Sequence, residues 1–296
     1  MTTPRVSALI PSYNHARFVR AAVESALGQT GLPEGGLEVV IVDDGSTDAS
    51  PEILRELAAD PRVRLEVREN QGISRTFQRL LELAQGEFVA YCCSDDRWHP
   101  THLAGALEQL EATPAATVCF GNAQLVDGDD AVVAGESIFS PLRDPRNPLA
   151  SLLRDGNSLC FVATVFRRQV ALDSGGFDFG LGVLQDYDLW LRLVDRGPAL
   201  FRDEPSVDFR WDGNNASGPG ASLRKRQDLI RVLERALEQS QLLQADPELR
   251  ESVVARVRRS HIRVARRLDD RAEKREHLRQ ARALGASWWK TLGAWL

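Results

Sequence analysis

In roughly the first 120 residues, short apolar runs alternate with segments in which apolar residues recur every three to four positions. Four of the runs have the length and the β-branched content of buried strands. They cover residues 6–10, 37–42, 63–67 and 88–92. The periodic segments between them have the spacing of amphipathic helices, so the pattern is typical of βαβ units. We therefore predict an α/β fold with a parallel sheet and right-handed crossovers.

The pattern becomes less regular in the middle of the chain. Residues 124–133 alternate around an Asp-Gly turn, which predicts a β-hairpin. The Pro-rich stretch 140–148 is expected to form a loop on the acceptor side of a site. A helix is predicted to begin at Gln185, and 207–211 is expected to form an edge strand.

From residue 222 onward the composition shifts to Leu, Arg, Ala, Glu and Gln, and apolar residues keep helical spacing without any strand pattern. We therefore divide the chain into an α/β domain at 1–221 and a helical region at 222–296. The helical region is expected to contain three or four helices.

Composition narrows the class of protein. The chain has 296 residues and no apolar run of about 18, so no transmembrane helix is predicted. Its beginning makes a poor signal peptide. The four cysteines show no C-x-x-C pair and are expected to be reduced thiols. These features predict a cytoplasmic protein.

Charge is unevenly distributed along the chain. The helical region carries 18 Lys and Arg against 10 Asp and Glu, a net charge of +8, whereas the remainder carries −13. An acidic body disfavours nucleic acid as the main ligand. The basic helices, with a Trp-rich end at 288–296, could make peripheral contact with the inner face of the cell membrane or pair two subunits. Packing back onto the protein is the alternative.

Two acidic pairs follow predicted strands. Asp43 and Asp44 end the second strand, and Asp95 and Asp96 come shortly after the fourth. The carboxyl ends of parallel strands meet at one edge of a sheet, where ligands of open α/β sheets bind. Adjacent carboxylates repel one another, and a divalent cation relieves that repulsion. The sequence therefore predicts a magnesium or manganese site that holds a phosphorylated, nucleotide-type ligand.

Six segments spread over about residues 5–195 occur together in an order that a known family shares. They are VSALIPSYNHARFVRAAVESALGQT, EVVIVDDGSTD, ENQGIS, GEFVAYCCSDDRWHP, FRRQVALDSGGFD and QDYDLWLRL. With them the chain resembles the glycosyltransferase family 2 catalytic domain, which has the GT-A fold, a Rossmann-like mixed sheet flanked by helices. The resemblance implies a nucleotide-diphosphate sugar donor, a divalent metal (Mg²⁺ or Mn²⁺) and sugar transfer with inversion. The acceptor would be a glycan, lipid-linked or small-molecule hydroxyl.

The resemblance also implies a set of donor contacts. Pro11 and Tyr13 would line the base pocket, and Asp43 would hydrogen-bond the nucleoside. Asn70 and Gly72 would border the donor pocket. From the residues alone, Asp43 could instead cap a turn through the hydroxyls that follow it.

The acidic motif of the family, D-x-D-D, corresponds to Cys93-Ser94-Asp95-Asp96. Asp95 stands at the metal-ligating position and, with Ser94, would contact the donor, while Asp96 is a second candidate metal ligand. Cys93 replaces the first Asp of the motif, which leaves a ribose contact in question.

The later motifs supply candidates for catalysis and acceptor binding. Asp186 would be the general base, and Gln185 before it departs from the family's E-D pair and could alter acceptor recognition. Asp212 is either an additional metal ligand or a loop residue. Trp98 and Trp211 are candidate acceptor contacts, although a core position is an equal alternative for Trp98.

Two other functions remain open at this point. Cys93 and Gln185 would suit a nucleotide-sugar-binding scaffold without transfer activity. A sugar nucleotidyltransferase shares the βαβ beginning but needs a Gly-rich phosphate loop, which residues 11–14 do not supply. His15, His99 and His102 are scattered and are assigned no chemistry.

Overall fold

A computed structural model describes residues 3–133, 144, 146–211, 222–287 and 291. The strands are β1 (Val6–Ser12), β2 (Leu37–Asp43), β3 (Val63–Val67), β4 (Phe88–Tyr91), β5 (Arg97–Trp98), β6 (Val118–Val126), β7 (Val165–Arg167) and β8 (Ala199–Arg210). The helices before residue 200 are α1 (Val19–Leu27), α2 (Ser50–Leu57), α3 (Ile73–Leu83), α4 (His102–Ala112), α5 (Pro148–Asp155), α6 (Arg168–Asp173) and α7 (Gln185–Val194). A short 3₁₀ turn at Phe161–Ala163 precedes β7.

The strands form one mixed sheet in the order β3-β2-β1-β4-β7-β6-β8-β5. The first four strands in this order are parallel, as the βαβ pattern predicts. β7 then pairs antiparallel with both β4 and β6, and β5 pairs antiparallel with β8. The predicted mixed α/β fold is confirmed: the sheet becomes mixed at β7, and beyond it β6 and β8 pair parallel.

Each face of the sheet carries an apolar layer, because successive side chains of a strand point to opposite faces. Leu9, Val40 and Tyr91 belong to one layer, which α3, α5 and α7 cover. Ala8 and Ile41 belong to the other, which α1, α2 and α4 cover. The sheet is thus buried on both sides, and its strand ends are left to form the site.

The helices after residue 221 are α8 (Ser222–Gln239), α9 (Gln241–Ala245), α10 (Pro247–Ala265) and α11 (Arg271–Ala283). α8 packs on α7, and α10 packs on both α8 and α11. Leu233 of α8 belongs to the same apolar layer as Leu189 of α7. The helices of 222–287 are confirmed; the domain division at residue 221 stays a prediction.

The predicted hairpin is present only as a tight turn, in which Val126 and Val132 form a single antiparallel bridge. Most of the Pro-rich stretch 140–148, residues 212–220 and all of the Trp-rich end 288–296 except Thr291 lie outside the described residues. None of the helices in the described ranges combines the length and apolar character needed to cross a membrane.

Candidate active site

The segment that follows β1 joins the two acidic pairs. Ser12 Oγ donates a hydrogen bond of 3.0 Å to Asp43 Oδ2, and His15 Nδ1 lies 2.8 Å from Ser94 Oγ. His15 Nδ1 also lies 3.8 Å from Asp95 Oδ1. The ends of β1, β2 and β4 therefore meet at one edge of the sheet, as parallel pairing requires.

Asp43 is fully buried and its carboxylate is used within this turn. Oδ1 accepts from the Ser46 amide at 2.9 Å, and Oδ2 accepts from the hydroxyls of Ser12 and Ser46. This arrangement is that of a turn-capping carboxylate, the alternative that the residues offered, and the contact of Asp43 with a nucleoside stays a prediction. Pro11 is likewise buried, paired with Val42 in the sheet, and lines no open surface.

Asp44 supports the border of the predicted donor pocket. Its carboxylate accepts from the backbone amides of Gln71 at 3.1 Å and Gly72 at 2.8 Å, and from Arg68 Nε at 3.0 Å. Gly72 has a φ of 87°, a conformation that favours glycine. Asn70 and Gly72 are exposed at this border, and Tyr13 is exposed on the loop after β1.

The segment Cys93–Asp96, here called the acidic loop, brings three possible metal ligands together. One ligand atom each from Cys93, Asp95 and Asp96 lies within 4.8 Å of the others. The Asp95 side chain is 24% exposed, whereas Asp96 and Ser94 are buried. Asp95 is therefore the carboxylate of the loop that a ligand can reach.

Burial raises the pKa of Asp96 well above its usual range, and the neighbouring Asp95 carboxylate raises it further. The backbone amide of Arg210 donates to Asp96 Oδ1 at 2.8 Å and opposes this shift. Burial and the same carboxylates also raise the pKa of the Cys93 thiol, so that it stays protonated in the absence of a cation.

Arg210, at the end of β8, holds the acidic loop in place. Its Nε donates to the backbone oxygen of Asp95 at 2.9 Å, and its guanidinium also pairs with Asp130 and stacks on Phe18, 4.2 Å from the ring centroid. Arg210 is buried. The sequence analysis did not single out Arg210 or assign chemistry to His15, because both reach the loop through contacts distant in sequence.

Asp186 begins α7 and is partly buried. Its Oδ2 accepts from Asn157 Nδ2 at 2.8 Å, and its Oδ1 accepts from the Tyr187 amide at 2.7 Å. Burial raises the pKa of Asp186, while these hydrogen bonds and the nearby charge of Lys225 limit the rise. The group is thus a carboxylate whose affinity for a proton exceeds that of an ordinary Asp.

Cys160 links Asp186 to the acidic loop. Burial raises the pKa of the Cys160 thiol, and the charges of Asp96 and Asp186 both raise it further. Because such effects weaken with distance, both carboxylates lie near one buried thiol. Acidic groups separated by 90 positions in the sequence are therefore brought to one region of the molecule.

The candidate acceptor residues differ in position. Trp98 is 3% exposed and its Nε1 donates to Val162 O at 2.8 Å, which favours the core position over an acceptor contact. Gln185 is buried, and its Oε1 has no hydrogen-bond partner. Trp211 is partly buried beside Phe209, and Asp212 lies outside the described residues.

Comparison with known proteins places this geometry in a family. The sequence profile described as "Glycosyl transferase family 2" matches residues 7–172, more than half of the chain. An uncharacterized glycosyltransferase of Nostoc sp. is 33% identical over 172 residues, which are 56% of this chain and 52% of the relative. A Rickettsia felis glycosyltransferase, also uncharacterized, is 28% identical over 72% of this chain and 35% of its own length. The chain thus spans about half the length, or less, of these curated relatives.

Solved structures show the same fold at low sequence identity. Staphylococcus aureus TarS 1–349 in complex with UDP-GlcNAc has a TM-score of 0.70 at 17% identity, covering 93% of this chain and 79% of that one. The mannosyltransferase PcManGT from Pyrobaculum calidifontis, in complex with GDP-Man and Mn²⁺, has a TM-score of 0.60 at 21% identity, covering 99% and 79%. The solved structures share the fold of this chain. The matched profile shows that the chain belongs to glycosyl transferase family 2.

Proposed function

We propose that this chain is a metal-dependent, inverting glycosyltransferase that moves a sugar from a nucleotide-diphosphate sugar to a hydroxyl of a glycan, lipid-linked or small-molecule acceptor. The observation that carries the proposal is the placement of Asp96 and Asp186 near the same buried thiol, Cys160. This placement supports a division of roles in one site, with the acidic loop holding a metal and Asp186 accepting a proton.

The donor would bind at the acidic loop. Magnesium and manganese prefer oxygen ligands and are usually held by one or two carboxylates together with phosphate oxygens. The partly exposed Asp95 and the adjacent Asp96 fit this requirement, because a cation would offset the repulsion that raises the pKa of Asp96. The metal, when bound, would stabilise the negative charge that develops on the departing diphosphate.

The nucleoside would lie along the border formed by the first two strand ends. Tyr13 and Asn70 are exposed there and present a ring and an amide to a ligand. Asp43 and Asp44 would act indirectly, since their carboxylates hold the turns that carry these residues. The donor complexes of TarS and PcManGT support this class of donor.

Asp186 would act as the general base. An acceptor hydroxyl is a weak nucleophile until a positioned group takes its proton, and such help contributes about 10²- to 10⁴-fold to the rate. The hydrogen bonds from Asn157 and from the Tyr187 amide hold the Asp186 carboxylate in one orientation. A single displacement with the base opposite the leaving diphosphate inverts the anomeric centre. Gln185 and Trp211 are the remaining candidates for acceptor contact.

Release of nucleoside diphosphate from a panel of nucleotide sugars tests the proposal. We expect release that requires Mn²⁺ or Mg²⁺ and that falls about 10²-fold or more in Asp186→Asn. Asp173→Asn is the matched control, because it removes an exposed carboxylate at the end of α6. Donor binding without release in the wild-type chain would favour a nucleotide-sugar-binding scaffold, for which Cys93 and Gln185 are the motivating residues.

A further inference from the structure

Three arginines of α8 have partners within the protein. Arg224 pairs with Asp228 of the same helix at 3.1 Å, and Arg235 pairs with Asp188 of α7 at 2.8 Å. Arg231 donates to the backbone oxygen of Gly180 at 3.1 Å. The last two contacts attach α8 to α7 and to the segment before it.

Arg226 is the exception on this helix. Its Nε is buried and has no hydrogen-bond partner. Within the described ranges, no carboxylate forms an ion pair with it. An unsatisfied buried donor costs stability, and native proteins keep few of them. A donor of this kind is therefore a place where a ligand could supply the missing acceptor.

Two more arginines lie beside Arg226. α10 runs antiparallel to α8, with His261 Nε2 3.1 Å from Glu234 Oε1. Arg226 lies eight residues before Glu234 on α8, and Arg267 lies six residues after His261, just past the end of α10 at Ala265. This register brings Arg226 near Arg267 and near Arg263, which lies in the last turn of α10. The nearness of both arginines lowers the pKa of Arg226, in addition to the effect of its burial.

No carboxylate in the described residues pairs with this group of arginines. Arg263 and Arg267 are exposed, and neither has an ion-pair partner in the part of the chain that the structure describes. Asp270, which follows them, is engaged in capping α11 through the amides of Ala272 and Glu273. Three guanidinium groups thus lie near one another, and none of the described carboxylates forms an ion pair with them.

We propose that Arg226, Arg263 and Arg267, here called the arginine cluster, bind a phosphate group. Guanidinium groups match phosphate geometry through paired N–H donors, and several of them around one phosphate share its charge. A bound phosphate would supply the acceptor that Arg226 Nε lacks and remove the repulsion among the three cations.

The phosphate belongs to the acceptor, an assignment that rests on the proposed function. Lys225, the residue before Arg226, lies close enough to Asp186 for its charge to lower the pKa of that carboxylate. The first turn of α8 therefore carries both Arg226 and a lysine whose charge reaches the general base. The donor diphosphate would instead be held at the acidic loop. The acceptor class is therefore a hydroxyl compound that carries a phosphate ester.

Methyl phosphate, titrated against the full-length protein in EDTA and followed by phosphorus NMR line broadening, tests the phosphate site. EDTA removes divalent metal, so the carboxylate charge of the acidic loop repels phosphate. We expect saturable binding that weakens about tenfold or more in the double variant Arg226→Gln/Arg263→Gln, since charge-assisted bonds are lost. Arg250→Gln is the matched control, because Arg250 is exposed on α10 about 20 Å from Arg263 along the helix.

Thermal melting distinguishes loss of the site from loss of the fold. The double variant should melt no lower than the wild type, because it removes a buried N–H donor without a partner and the repulsion between two neighbouring cations. Should it nevertheless misfold, the exposed Arg263→Gln variant alone is expected to weaken methyl phosphate binding several-fold. No saturable binding to the wild type, or equal binding to wild type, double variant and Arg250→Gln, would overturn the proposal.

Vesicles separate the two sources of a phosphate ester. Cosedimentation with phosphatidylcholine vesicles containing phosphatidic acid, lost in the double variant and kept in Arg250→Gln, would assign the phosphate to a lipid-linked acceptor. Binding of methyl phosphate without cosedimentation would assign it to a soluble acceptor. Neither assay requires sugar transfer. Phosphate binding without release of nucleoside diphosphate would therefore refute the proposed function and leave the phosphate site standing.

Discussion

At the scale of single residues, Asp186 is the proposed general base, and its ionised form lowers the stability of the folded state. Its raised pKa means that the folded protein disfavours the charged form. By linkage, the stability associated with protonated Asp186 is present at low pH and is lost as the pH rises through its folded-state pKa. At neutral pH the ionised carboxylate therefore destabilises the folded state, as is common for catalytic groups.

We expect Asp186→Asn to lower turnover about 10²- to 10⁴-fold while leaving the melting temperature at neutral pH unchanged or higher. The neutral amide avoids the burial cost of the charge, and the Asn157 side chain can turn its oxygen toward it. Steady-state transfer assays and thermal melting on the same preparation check both parts. A variant that loses activity and stability together would indicate a structural role for Asp186.

The pH dependence of turnover should report the same carboxylate. Activity is lost as the pH falls and the base is protonated, which gives the pH profile an acidic limb. We expect the midpoint of this limb to lie above the ordinary Asp pKa of about 3.9. Asn157→Ala removes a hydrogen bond that lowers the pKa of Asp186, so the limb should move to higher pH. Lys225, whose charge acts in the same direction, and Cys160 stay in place in this variant.

Gln169→Ala serves as the control for this profile. It removes an exposed amide that contacts Asp173, on a different helix from Asp186. A limb that moves equally in both variants, or in neither, would contradict the assignment of the base.

At the scale of elements, the turn after β2 depends on a close backbone approach. Gly45 has a φ of 81°, and a Cβ atom there would lie 2.7 Å from the backbone nitrogen of Asn70. Gly72 also has a positive φ, of 87°, but a Cβ atom there would meet nothing within 4 Å. The two glycines therefore share the conformational requirement and differ in the space around them.

This contrast gives a matched pair of variants. Both Gly45→Ala and Gly72→Ala place a side chain in the left-handed region, at a cost of about 1–2 kcal/mol. Gly45→Ala should lower the free energy of unfolding further, because the strand-end turn must also move away from Asn70. Urea denaturation measures the difference, and equal losses in the two variants would contradict the close approach.

The pattern of apolar residues predicted those strands and helices whose contacts repeat regularly along the chain. The first four parallel strands follow from alternating apolar runs and helices, and Asp43, Asp95 and their loops follow from where those strands end. The insertion of β7 between β4 and β6 could not be read from the sequence, because antiparallel pairing of a three-residue strand leaves no periodic pattern. The same reason hides Cys160, Arg210 and His15, whose roles depend on contacts far along the chain.

At the scale of the whole molecule, α8 stabilises the segment that carries the general base. Asp188 is buried between Arg192 of its own helix and Arg235 of α8. Arg235 also pairs with Asp178, before the start of α7. The helices after residue 221 therefore do more than extend the chain, since their contacts support the position of Asp186.

Arg235→Gln should lower the free energy of unfolding by about 2 kcal/mol, because a hydrogen-bonded charge is removed from the buried Asp188. Turnover should fall as well, since the start of α7 loses a support. Arg279→Gln is the control: Arg279 pairs only with Glu276 on the exposed face of α11, and such pairs contribute little. Equal stability of the two variants, by urea denaturation, would contradict the proposed support.

The central claim is that the acidic loop and Asp186 serve two different steps in one site. The most direct test is calorimetric titration, in the presence of Mn²⁺, of a nucleotide sugar that the wild type turns over. It is titrated into wild type, Asp95→Asn and Asp186→Asn. We expect Asp95→Asn to lose donor affinity about tenfold or more, and Asp186→Asn to bind the donor as the wild type does while failing to turn it over. Unchanged donor affinity in Asp95→Asn, or undiminished turnover in Asp186→Asn, would contradict the account.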